Sequence, residues 1–358
     1  MSRPRWAPVG PQLGTGRGRS DETDHKQNGN RAGMSNVVVG LDIGYSNVGV
    51  VSGPPGRPQA YCMPAGAGSI KLLPKSLRGT LDTGYMVTTA QGDAWVAGVE
   101  PDRLQGWSRD LHEDYPSSDT YRALFHAALL RAGHRTIGHL ITGLPVTQYL
   151  DTERRDRLAE ALKGTHRISD EFEVTVENVS VLPQPAGGYM DYATTTADIE
   201  LVEAGRILII DPGFYSVDWV AIQGGEIRHA ASGSSVKAMS VLLAAADDLL
   251  NERYGRRFGV QRIEQAIREG RGNVLLAGEK VALGPVIRQA AADTTTGALR
   301  ELRQSLRGDT TGFDLLLLVG GGAIYYEEAA REVFPDTRVH KIQDPVNANA
   351  RGFWTLGT

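Results

Sequence analysis

The sequence predicts an α/β protein built as two related halves, each a mixed sheet flanked by helices, with a binding cleft between them. Three observations predict it. One stretch of chain is written twice, half a chain apart. Short apolar strands alternate with helical segments through both copies, the pattern of a sheet with helices on its faces. At 358 residues the chain is long enough for two domains, each with its own core.

The repeat comes first. Residues 207–220 read Ile-Leu-Ile-Ile-Asp-Pro-Gly-Phe-Tyr-Ser-Val-Asp-Trp-Val, and residues 37–51 read Val-Val-Val-Gly-Leu-Asp-Ile-Gly-Tyr-Ser-Asn-Val-Gly-Val-Val. Asp42 answers Asp211, Gly44 answers Gly213, Tyr45 answers Phe214, and Val48 and Val51 answer Val217 and Val220, all at an offset of 169. Each copy reads as a buried strand that stops at an aspartate, turns on a glycine and returns as a second apolar strand. Glycine permits positive φ and close approach of a ligand, and successive backbone N–H groups beside short Ser and Asn side chains suit a phosphate. A carboxylate beside phosphates is repelled unless a hard cation such as Mg²⁺ lies between them. One copy alone is best read as an ordinary hairpin with Asp and Gly in its turn; two copies in register reverse that judgement.

Composition bounds the rest. A net charge of −4 and a pI near 6.1 give no basic patch for direct nucleic-acid binding, although a partner that itself holds DNA fits. Cys62 is the single cysteine, so there is no internal disulfide framework and no Cys-based zinc cluster, as in a reducing cytoplasm. No apolar run reaches bilayer length. Residues 1–34 carry Pro, Gly, Arg, Asn and Asp with almost no aliphatics and read as a disordered extension; Met34 is a natural start for the folded chain. Residues 35–200 form the first expected domain and 201–344 the second, with a final helix at 345–358 packing back on the first.

In chain order, residues 61–99 read as a small loop-rich sheet, and 119–132 as a helix with Tyr121, Leu124, Phe125, Ala128 and Leu129 on one face and Gly133 as its stop. Residues 136–142 form a strand broken at Gly143-Leu-Pro145, which presents Thr147 and Gln148 in a loop. A helix follows from Asp151 and is closed by Gly164. Residues 172–181 alternate as a strand, and 183–188 turn into a helix. In the second half, Gly224-Gly225 is a turn, and Ser232-Gly-Ser-Ser235 caps a helix to Tyr254 that buries Val236, Met239, Leu242, Leu243, Leu249 and Leu250. Helices are expected at 263–269, 286–306 and 324–333. Residues 314–319 are a fully buried strand running into Gly320-Gly-Gly322-Ala323, a turn that brings backbone and a helix N-terminus close to any ligand. Without a ligand it is simply a tight strand-to-helix connection. The tail, 344–352, is rich in small residues suited to close helix packing.

Five elements in this order, the Asp42-Ile-Gly44 hairpin, Gly143-Leu-Pro-Val-Thr-Gln148, the Asp211-Pro-Gly213 hairpin, the triple-glycine turn and Asn347-Ala-Asn-Ala-Arg-Gly352, resemble the actin-like (ribonuclease H-like) ATPase superfamily. The wording of the second and last is similar to the ParM/StbA-type plasmid-segregation actins. The resemblance implies ATP and Mg²⁺ as cofactors, filament formation with copies of itself, a DNA-binding adaptor as partner, and neither direct nucleic-acid nor membrane binding. It implies that Asp42 and Asp211 hold a hydrated Mg²⁺. Gly44, Tyr45, Ser46 and Asn47 would line one side of the phosphates and Gly213, Phe214, Tyr215 and Ser216 the other. Gln148 would orient the attacking water, and Gly320, Gly321, Gly322 and Ala323 would lie against the adenosine. Asp218 takes the position of a later aspartate, structural or helping the metal. One departure stands out: where the family carries a lysine for the β/γ-phosphates this chain has Gly49, leaving Lys71 or Lys75 as substitute cations.

Two other functions compete. A sugar or acid kinase, or a phosphatase, would share the fold but needs substrate residues that the chain does not display. A nucleotide-binding scaffold with weak hydrolysis is suggested by Gly49. No G-x-S-x-G, Walker-type or His-Glu-x-x-His motif occurs.

Overall fold

The repeat becomes two sheets with one plan. The computed structural model of the protein describes residues 35–74, 84–89, 92–109, 111–306 and 312–358; the extension expected over 1–34, and Lys75, lie outside them.

The first half begins with β1 (Val38–Ile43), β2 (Asn47–Ser52) and β3 (Gln59–Pro64), followed by β4 (Gly66–Ser69), β5 (Tyr85–Thr88) and β6 (Ala94–Val99). It continues with α1 (Asp119–Ala132), β7 (Thr136–Ile137), β8 (His139–Leu144), α2 (Val146–Leu150) and α3 (Thr152–Leu162). It closes with β9 (Gly164–Arg167), β10 (Glu173–Val176), β11 (Val179–Pro183) and α4 (Gln184–Thr195). The second half holds α5 (Ile199–Ala204), β12 (Arg206–Pro212), β13 (Val217–Gln223), β14 (Glu226–Ile227), β15 (Gly233–Ser235) and α6 (Met239–Tyr254). Then come α7 (Val260–Arg268), β16 (Asn273–Leu276), β17 (Glu279–Ala282), α8 (Leu283–Ser305), β18 (Leu315–Leu318), α9 (Ala323–Val333), β19 (Arg338–Lys341) and α10 (Ala348–Gly357).

The first large sheet runs β11-β8-β1-β2-β3 and the second β19-β18-β12-β13-β14. In both, the three leading strands are parallel and each of the last two pairs antiparallel with the strand before it. Register matches too: Asp42 lies opposite Gly49, and Asp211 opposite Asp218. Each sheet has its own core, one around Leu41, Val50, Leu124 and Phe125, the other around Leu208, Ile210, Leu242 and Leu299. Burying one such side chain fully is worth roughly 1.5–3 kcal/mol.

Local chemistry explains several of the element boundaries. Ser118 Oγ accepts the Tyr121 N–H at 3.1 Å to start α1, and Gly133 in the left-handed region stops it. Asp151 caps α3. The Thr294 and Thr295 hydroxyls donate back to the carbonyls of Ala290 and Ala291, so the polar run stays inside α8.

Several expectations change. The 136–142 strand is two pieces parted at Gly138, where a Cβ would sit 1.7 Å from Ser35 O, and β7 belongs to a separate sheet with β10 and β9. Residues 172–181 likewise divide between two sheets. α3 ends at Leu162, and Gly164 opens a strand. Gln148 is on a short helix, not a loop. The Ser232–Ser235 cluster contributes an edge strand and does not cap α6, and Val236 is 63 % exposed. The β16–β17 hairpin and β19 are additions that periodicity alone did not mark.

Gly187 and Gly188 lie inside α4 rather than in a turn. There α4 crosses α10 at backbone contact: a Cβ on Gly352 would sit 1.8 Å from Gly187 O. Gly352→Ala therefore forces the two helices apart and should cost about 1–3 kcal/mol, read as a fall in Tm. Gly297→Ala, on an exposed face of α8 with nothing within 4 Å of the new methyl, should instead be neutral or raise stability by up to about 1 kcal/mol. Equal effects of the two substitutions would contradict the packing.

Candidate functional site

Strands β1 and β12 end at the floor of a cleft of about 670 Å³ between the two sheets, within the range of small-ligand sites. Asp42 is partly open to it and Asp211 is buried. A single amide joins them: Asn349 Nδ2 donates to Asp211 Oδ2 at 2.6 Å and to Asp42 Oδ2 at 3.2 Å. Its Oδ1 accepts the Gly188 N–H at 3.1 Å, which fixes the amide orientation. Gln184 Nε2 donates to the other oxygen of Asp42 at 2.9 Å.

Burial pushes the Asp42 carboxyl above its usual range. Burial, and then the charge of Asp42, push Asp211 up to about 8. Two neighbouring carboxyls restrained only by neutral amides form an all-oxygen pair that lacks a counter-charge, which fits a hydrated hard cation. Among the described residues no group of three or more His, Cys, Asp or Glu side chains is arranged to hold a metal directly.

The hairpin tips form the lips. Gly44 N–H donates to Asn47 O at 2.9 Å and Gly213 N–H to Ser216 O at 2.8 Å, the same turn twice. Tyr45 stacks on Tyr115 at 4.4 Å between centroids and meets Tyr215 across the cleft at 4.9 Å. Tyr45, Ser46, Asn47, Phe214, Tyr215 and Ser216 all line the cleft.

Sequence reasoning missed the groups that hold these lips. Ser46 Oγ donates to Glu264 on α7, Arg268 Nε donates to Asn47 Oδ1 at 2.8 Å, and Arg268 Nη2 donates to Ser46 Oγ at 3.1 Å. Arg268 also pairs with Glu100 and Glu264. Arg109 pairs with Glu264 at 2.9 Å while its guanidinium lies 3.8 Å over the Phe214 ring. The i,i+4 pair Glu264/Arg268 was visible on a helix, but its partners lie some 220 residues away in sequence, beyond any local pattern. Asn349 stood in a motif whose small residues drew the attention.

Arg268 is the cation that lines the cleft among the described residues. Lys71 is exposed in a short turn and does not. At Gly49 a Cβ would meet Ala350 Cβ at 3.3 Å, so α10 occupies the flank of the missing lysine.

Gln148 is buried and lines the cleft, and its amide makes no hydrogen bond among the described residues. Its helix is tied to the second hairpin: Val146 N–H donates to Asp218 Oδ1 at 2.9 Å and Thr147 N–H to Ser234 Oγ at 3.3 Å. Of the triple-glycine turn, only Gly321 is open. Gly320, with φ of +77°, lies so near Asp211 that a Cβ would sit 1.8 Å from Oδ1, and Gly322 presses on Pro212 O. Ala323 is wholly buried in the second core and does not line the cleft. The turn thus serves packing as well as access.

With no ligand bound, the native state retains an Asp211 proton that an unfolded carboxyl loses near pH 3.9. Stability should therefore fall as pH rises from about 4 to 8. Asp211→Asn should flatten that slope and raise the ligand-free Tm at pH 8 by a few degrees while changing it little at pH 4. A Tm for Asp211→Asn below wild type at pH 8 would contradict the assignment.

Among curated proteins no relative matches the sequence. Residues 40–187 match the model described as actin-like proteins, N-terminal domain, and 209–332 the model described as archaeal actin homologue MreB-like, C-terminal. Solved structures show the same fold at low identity. A ParM filament from Clostridium botulinum has TM-score 0.71 at 19 % identity, covering 90 % of this chain and 99 % of that one. An archaeal actin homolog in complex with ADP has TM-score 0.69 at 19 %, covering 89 % and 98 %. A non-polymerisable quadruple mutant of a ParM has TM-score 0.71 at 18 %, covering 90 % and 98 %. With one family model on each hairpin-bearing half and a common fold across nine-tenths of its length, the chain belongs to the actin-like superfamily.

Proposed function

We propose that this protein binds Mg-ATP in the cleft, hydrolyses it slowly, and assembles with copies of itself into filaments that move DNA through an adaptor in the cytoplasm. The observation that carries the reading is the Asp42–Asn349–Asp211 bridge at the base of two equivalent hairpins. The ADP complex of the archaeal neighbour and the ParM filament support the ligand and the assembly.

When bound, the cation neutralises phosphate charge that the floor carboxylates would otherwise repel. Asp42 and Asp211 hold its water shell, with Asn349 and Gln184 setting their orientation. Ser46 and Asn47 on one lip and Tyr215 and Ser216 on the other line the phosphates, and Gly321 leaves room beside the nucleoside. Arg268 takes the place of the absent lysine as the cation on the first lip. Its contacts with Ser46 and Asn47 are where the phosphates compete, so nucleotide binding rearranges the α7 clasp. Gln148, whose amide is free to accept from water, aligns the attacking molecule without being a strong base. Phosphoryl transfer to water asks mainly for such positioning and charge neutralisation.

Purified protein with ATP and Mg²⁺ should show a rise in light scattering together with phosphate release. Asp211→Ala should abolish both, whereas Gln148→Ala should still bind ATP and release phosphate roughly tenfold or more slowly. Turnover only on addition of a sugar or acid acceptor, without scattering, would replace the filament reading with a kinase. Binding without release would leave a scaffold.

A further inference from the structure

Gln148 rides on a five-residue helix whose own N-cap residue supplies no side-chain hydrogen bond. The preceding residue is Pro145, with no side-chain acceptor, and so short a helix has little stability of its own. The acceptors arrive from the other half of the molecule. Asp218 Oδ1 takes the Val146 N–H at 2.9 Å, and Ser234 Oγ takes the next one, Thr147 N–H, at 3.3 Å. The two acceptors form one unit: β15 pairs with β13 so that Ser234 lies opposite Asp218, and the Ser234 hydroxyl donates to the same Oδ1. Ser216 Oγ donates to Oδ2 at 2.5 Å. The Asp218 carboxylate is 3 % exposed and has three donors on its two oxygens.

We propose that the Asp218–Ser234 pair is the positioning device for Gln148. It fixes the first turn of α2, and with it the Gln148 amide, only while the second hairpin stands against residues 145–148. The inference rests on the ATPase reading above and adds to it a coupling between the halves: separating β13 and β15 from α2 leaves two backbone N–H groups without acceptors and frees the helix that carries Gln148. The duplication shows where the device came from in structural terms. The residue opposite the floor aspartate is Gly49 in the first hairpin and Asp218 in the second. One half leaves the position bare, and the other uses it to grip its neighbour.

The test compares Asp218→Ala, Asp218→Asn and Ser234→Ala with wild type in three measurements on the full chain: affinity for a fluorescent ATP analogue with Mg²⁺, single-turnover phosphate release, and amide hydrogen exchange. Asp218→Ala should speed exchange at Val146 and Thr147 by about tenfold or more, with amides in β12 and β18 unchanged. It should slow phosphate release by about tenfold or more while affinity stays within about threefold. Asp218→Asn, whose amide oxygen still accepts from Val146, should recover part of the rate, and Ser234→Ala should show the same pattern more weakly. Affinity lost in proportion to rate would overturn the positioning role in favour of a direct contact with the metal or nucleotide. Wild-type exchange at Val146 and Thr147 in both Asp218→Ala and Ser234→Ala would also overturn it. If wild type itself releases no phosphate, the ATPase reading falls, and exchange still decides whether the pair holds α2.

Discussion

Two carboxylates set side by side in a protein interior need something between them, and in this fold it is the Asn349 amide. Its nitrogen reaches both Asp42 and Asp211, and its oxygen is pinned by Gly188 on α4. That arrangement is possible only because α10 lies at backbone distance from α4 and from β1, where side chains larger than glycine at 40, 187 or 352 would collide with carbonyls. The close helix crossing, the meeting of the two sheets and the electrostatics of the floor are therefore one constraint. With no cation the carboxyls compromise by rising in pKa; with one, the same geometry becomes a site for phosphates.

The halves share a plan and differ where they must cooperate. Both hairpins turn through the same N–H to carbonyl bond, but the first presents Ser46 and Asn47 to α7 of the second half, and the second presents Asp218 to α2 of the first. Each lip is thus completed by its opposite. The half-buried cluster of Arg268, Arg109 and Glu100 around the buried Glu264 is costly to desolvate, so its value is in fixing how the halves meet rather than in raw stability.

Much of this was legible in the sequence. The offset of Asp42 and Asp211, the apolar strands beside them and the glycines beyond carry the duplicated sheets, and they do so because buried strands and positive-φ turns have few alternative residues. The placement of Gln148 near the cleft was readable, but its helix was not, since the helix is stabilised from 72 residues away by Asp218. The glycines of α4 read as a turn because close helix crossing and turns ask for the same residue. Asn349 and Arg268 were hidden for a related reason: their partners are distant in sequence, and nothing local distinguishes an asparagine that bridges two aspartates from one that faces water.

The floor of the cleft is where metal and phosphates would meet, and the most direct test is a structure of the protein determined with Mg²⁺ and ADP. The diphosphate should lie between the tips of β1–β2 and β12–β13, with one metal ion whose water ligands, at roughly 2.1 Å, are within hydrogen-bond reach of both Asp42 and Asp211. A nucleotide bound elsewhere, or a diphosphate in the cleft with the Asn349 bridge unchanged and no metal between it and the two aspartates, would contradict it.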